Sequence, residues 1–349
     1  MKKLTFLLVV VVGCLPETTG EIEIMGGASR SIPRLMDGLS DGRAVVYFSD
    51  GFTHEVRLVD TRTGQAHKLN TGDKKNKVMA LRTGWGDTIF VVTLEGGHEG
   101  NPTGAHLKLH KFAPNGGPRG KYVLKKSPLF VDFLVAKPDH PKGATIMTLN
   151  LSGYFSTVFD KTGKIIGGAG PYTGPEGPYL YAWMALADNY LTVVPRTIKS
   201  NCTDCPNYIT GPVRVYQWIG GPTALLDSFP LIGEIDISHL FPEADVIGAL
   251  AAKGWEDRVY IFAEFSDSYE VDSKPFVRLG YAIIEVYPGK GEARAVKTER
   301  YQNLHWGDDG RLYDSKGNLV PAVCAAAIKG RSLFLAYGDG HVEVCEIGD

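Results

Sequence analysis

Several residue groups in this chain have types and spacings that chemistry could use. Cys202-Thr203-Asp204-Cys205 has the CxxC spacing, but Pro206 stands where covalent haem attachment needs a histidine. A thioredoxin-type centre would need the first cysteine at a helix N-terminus in a βαβ setting, and a zinc site would need two further ligands. Neither accompanies the pair. Cys202 and Cys205 therefore read as a local disulfide pinning a long polar loop, which implies an oxidising compartment. His98, Glu99 and His106 share one segment without a third ligand at fixed spacing, so that segment reads as a solvated loop and no metal is expected. Asp132, Asp267, Asp272 and His305 are the groups that acid–base chemistry would draw on. The chain contains no serine nucleophile elbow and no phosphate loop, and no cofactor is expected.

A fifth cysteine stands apart. Met1-Lys2-Lys3 is a short positive segment, followed by an apolar run from Leu4 to Val12 that is too short to cross a bilayer and reads as an export signal. It ends in Val11-Val12-Gly13-Cys14, which resembles the bacterial lipobox; an ordinary secretion signal is the other reading. The resemblance implies a signal peptide over 1–13, lipidation at Cys14, a tether over 14–20 and a folded domain over 21–349. It also implies an exported protein held in the cell envelope, on the outer membrane or the periplasmic side, with the membrane as a partner through its lipid.

Composition narrows the remaining choices. The 349 residues are 44% hydrophobic and 22% charged, and Lys+Arg 37 against Asp+Glu 39 leaves no basic field for nucleic acid. No long helical period appears; short β-rich runs recur after polar turns, starting at Arg43, Thr88, Thr145, Tyr190, Arg258 and Ser332. Four are preceded by a strand with a small residue near its middle, around Ala80, Ala185, Gly248 and Ala325, as crowding beside a central axis requires. Six units of four strands follow, named A to D from axis to rim. The all-β chain is expected to form a six-bladed β-propeller, with Glu21–Met25 supplying the fourth strand of the last unit. The hairpin over 311–319 suggests an extra incomplete blade, so seven blades is the alternative. This layout resembles six-bladed β-propeller lipoproteins of bacterial envelopes.

Such a ring sends B–C loops and D–A links to one face and A–B turns to the other. The expected B–C loops 95–105, 195–212 and 264–279, and the links 167–180 and 302–320, are long, whereas the A–B turns are tight. Loops on a rigid scaffold commonly carry recognition. Tyr179, Tyr208, Tyr269, Asp272, His305 and Trp306 fall on them as candidate binding residues for a protein or glycan. The leading expectation is a non-enzymatic binding or scaffold module. The rivals are a hydrolase or lyase for a polysaccharide or lactone using Asp132, Asp267, Asp272 or His305, and a structural subunit of an envelope complex. Cys324 and Cys345 fall on strands A and C of one blade, about 10 Å apart and too far to bridge, so two buried thiols are expected.

Overall fold

A computed structural model describes residues 31–96, 106–124, 130–136, 144–150, 156–169, 182–187, 189–195, 211–217, 230–271, 274–306, 312–320, 323–338 and 340–347. These form six antiparallel sheets. Their inner strands are β1 (Ile32–Gly38), β5 (Lys77–Thr83), β9 (Phe130–Val135), β13 (Ala182–Ala187), β17 (Val246–Trp255) and β22 (Val323–Lys329). Each inner strand packs against the next, and β22 packs back on β1, so the sheets close into a six-bladed β-propeller. All six β-rich runs are second strands, among them β2 (Arg43–Ser49), β14 (Tyr190–Pro195) and β23 (Ser332–Tyr337).

Apolar faces between neighbouring blades hold the ring together. Met36, Val46 and Phe48 of blade 1 meet Ala327, Phe334 and Ala336 of blade 6 in one buried cluster. Each large side chain so buried contributes roughly 1.5–3 kcal/mol. The indole of Trp183 on β13 donates to the Ala249 carbonyl on β17 at 3.1 Å, tying blades 4 and 5 at the axis. Crowding there is severe: a Cβ at Gly254 would lie 1.8 Å from the Leu186 carbonyl oxygen. An extra residue bulges the inner strand in five blades, at Arg34, Met79, Val131, Leu250 and Cys324. Bulges increase local twist.

Three expectations change. The hairpin over 311–319 adds no seventh blade. Leu312–Tyr313 forms β21, which pairs with the end of β20 (Glu292–Trp306) as a fifth strand of blade 5. Nor do residues 264–271 and 274–279 form a loop, because β18 (Arg258–Val271) and β19 (Lys274–Tyr287) stay in register from Val259↔Val286 out to Val271↔Lys274. Backbone pairing needs no apolar side chains, so this polar stretch extends as a ribbon. Cys324 and Cys345 form no disulfide with one another, but each is only partly buried. Among the described residues blade 6 has three strands, the last being β24 (Val342–Glu346), and the expected closing strand Glu21–Met25 lies outside them.

Candidate functional site

Each inner strand runs from the face of D–A links and B–C loops toward the face of A–B turns. Chemistry-bearing side chains gather on both faces.

At the A–B end, five inner strands contribute charges around the axis: Asp37, Arg82, Asp132, Lys253 and Lys329. Asp37 and Asp132 are each only 2% exposed. Arg82 grips Asp132 through both Nε, at 3.0 Å, and its terminal nitrogen, while the Met184 backbone N–H donates to Asp132 at 2.7 Å. The guanidinium also lies over the Trp183 ring, 4.8 Å from its centroid. Burial opposes the Arg82 charge, and Asp132 more than offsets it, holding the guanidinium above its ordinary pKa. Asp37 Oδ2 accepts from the Thr83 N–H at 2.6 Å and its hydroxyl at 3.1 Å, and Oδ1 accepts from the Gly38 N–H at 2.9 Å. Lys329 pairs with Asp87 at 3.0 Å, and Asp87 also accepts from the Ser40 N–H and hydroxyl.

Lys253 is bound differently. Its closest carboxylate oxygen, on Asp37, is 3.8 Å away, beyond hydrogen-bond distance. Its side chain is 31% exposed and borders a cavity of about 540 Å³ that opens at this face. Burial lowers the pKa of its ammonium; Asp37 opposes that shift, while Arg82 and Lys329 reinforce it. Trp85 stands at the mouth, 54% exposed.

On the opposite face, β18, β19 and β20 run 14, 14 and 15 residues, against 4 to 7 for the strands of blades 1 and 2. Tyr269 stacks on Phe276 with centroids 5.9 Å apart, and Arg278 lies over its ring at 4.8 Å. The Tyr269 hydroxyl donates to Asn303 Oδ1 at 2.8 Å and accepts from the Asn303 N–H at 3.0 Å. Asn303 sits at φ 57 in a bulge of β20, so Tyr269 fastens a backbone conformation that side chains disfavour. Asp267 is held by Arg278 at 3.0 Å. His305 lies beside Tyr313 with centroids 6.1 Å apart, and Trp306 pairs with Leu312 at the end of β20.

The same face carries a residue that sequence reasoning missed. Phe52, in the turn between β2 and β3 (His54–Asp60), is 86% exposed. The turn is locked: Asp50 Oδ1 accepts from the N–H groups of Phe52 and Thr53 at 2.8 and 2.6 Å, and Oδ2 accepts from the Thr53 hydroxyl at 2.7 Å. The Thr53 and Phe52 bonds hold the Asp50 carboxyl at a pKa of about 2. An aromatic inside Asp50-Gly51-Phe52-Thr53 was the available signal, because a polar two-strand turn offers it no core. The axial set was missed as well, apart from Asp132. Cys14, Tyr179, Cys202, Cys205, Tyr208 and Asp272 lie outside the described residues.

No protein-family model and no curated protein matches the chain. Among solved structures, it is similar to a streptogramin B lyase at 14% identity, covering 91% of this chain and 95% of that one with a TM-score of 0.47. A virginiamycin B lyase from Staphylococcus aureus, in complex with quinupristin, is similar at 12% identity over 90% and 94%, with a TM-score of 0.45. The Dos1 propeller is similar at 11% identity over 91% and 81%, with a TM-score of 0.40.

Proposed function

We propose that this propeller is a binding module of the cell envelope, tethered through a lipid on Cys14, that engages a protein or glycan on the face of its B–C loops. The observation that carries this reading is Phe52, a large aromatic held in solvent by a turn whose backbone is already fixed. Such a side chain gives contact area at little conformational cost on binding, as interface anchors do. The blade 5 ribbon, with its Tyr269–Phe276–Arg278 stack, rises from the same face and adds aromatic and guanidinium surface of the kind enriched at interfaces. Binding is favoured over acid–base catalysis because Asp132 and Asp267 are each committed to an arginine.

The test compares recovery from envelope extract by the wild type, Phe52→Ala and Phe276→Ala. Loss of the same partner by both variants, with unfolding curves unchanged, supports the reading. Equal recovery by all three would place the binding surface elsewhere. Incorporation of radiolabelled fatty acid that disappears in Cys14→Ser supports the tether, and incorporation that survives the change would contradict it.

A further inference from the structure

The axial cavity lies on the other face, and partner binding through the B–C loops makes no use of it. Its charges are unequally satisfied. Arg82 and Asp132 form a closed pair, and Lys329 has Asp87. Among the described residues, Lys253 alone of these cations has no hydrogen-bond acceptor. The Asp37 oxygen nearest to it already takes two donors from Thr83, and the other takes the Gly38 N–H. An ammonium that borders an open cavity and has no acceptor on the protein is left to water, or to a ligand that brings an anionic acceptor.

The rest of the cavity indicates what the remainder of a ligand would be. Leu134, Val135 and Leu186 give it apolar walls, and Met147 and Met184 add flexible thioethers that pack well against ring edges. Trp85 offers an indole at the mouth. The volume is within the range of small-molecule sites, about 300–1,000 Å³. One uncommitted ammonium suits a single negative charge better than a dianion, because the neighbouring cations are already neutralised.

We propose that this cavity binds a small aromatic monocarboxylate, with the carboxylate on Lys253 and the ring between Met147, Met184 and Trp85. The site lies among the ends of β5, β9, β13, β17 and β22, so the scaffold itself holds it in shape, as a preorganised site requires.

Two probes of equal shape test the proposal: 2-naphthoate and the neutral 2-naphthamide, titrated calorimetrically into the folded protein. The expected result is one saturable naphthoate site per chain, at least tenfold tighter than the amide. Lys253→Met should bring the two probes within twofold of each other, and Lys253→Arg should preserve the preference. Circular dichroism verifies that each variant is folded, and Lys253→Gln reads the same loss of charge if the methionine variant does not fold. Equal binding of both probes to the wild type, no saturable binding at millimolar naphthoate, or a preference that survives removal of the Lys253 charge would each overturn it.

Discussion

The two faces of the ring handle polar and apolar groups in opposite ways. At the A–B end, charged side chains are drawn inward, where Arg82 pairs with Asp132, Lys329 pairs with Asp87 and Lys253 borders the cavity, and inner strands approach so closely that Gly254 admits no Cβ. At the B–C end, aromatic groups are pushed outward, Phe52 on a locked turn and Tyr269 with Phe276 on an extended ribbon. Inner strands converge at the axis, so side chains there such as Arg82, Asp132 and Asp37 meet other strands and are satisfied by them. Loops and strand extensions at the B–C end diverge, which leaves side chains available to something outside the chain. The difference separates groups that hold the ring together from groups offered to a partner.

Changes at the axis should therefore cost the most stability. Asp132→Ala leaves Arg82 buried without its anion and should destabilise by about 3–5 kcal/mol in urea unfolding, as broken buried pairs do. Replacing both partners, Arg82→Met with Asp132→Leu, should recover most of that loss. A single-variant cost under about 1 kcal/mol would mean that water reaches the pair and that the axis is not sealed.

Next in size is a pH effect outside both faces. His110, 3% exposed on β7 (His106–Phe112), has its pKa pushed down to about 4, chiefly by burial and further by Lys121. Between that value and the unfolded value near 6.5, the unfolded chain binds the extra proton, so stability falls as pH drops through this window and is complete above it. The loss should approach about 3 kcal/mol by pH 4. His110→Gln should remove this part of the slope, and parallel wild-type and variant curves would show that the imidazole is not the group responsible.

Gly254→Ala should cost about 1–3 kcal/mol by forcing β17 away from the Leu186 carbonyl. Tyr269→Phe should cost about 1 kcal/mol, read most clearly as faster amide exchange around Asn303. Phe52→Ala should change stability by less than about 0.5 kcal/mol, since an exposed side chain has little packing to lose. A larger effect would make Phe52 a structural residue and remove the contrast between the faces.

The second strands were legible in the sequence because buried strands demand β-branched and aromatic runs, as in Val45-Val46-Tyr47-Phe48. The blade 5 ribbon was not, because cross-strand backbone bonds can carry a polar residue such as Glu270 into solvent without an apolar pattern. The axial charges were hidden for another reason. Asp37-Gly38, Arg82-Thr83, Lys253-Gly254 and Lys329-Gly330 stand at strand ends beside turns, where a charge ordinarily faces water. Closing the ring brings those ends together, and no local window of sequence reports that.

The most direct test of the division between faces is photocrosslinking in the intact envelope, with a photoreactive phenylalanine analogue placed at Phe52 on one face or at Glu256, exposed in an A–B turn, on the other. The account predicts a discrete adduct from position 52 and none from position 256. Adducts from position 256 alone, or equally from both, would contradict it.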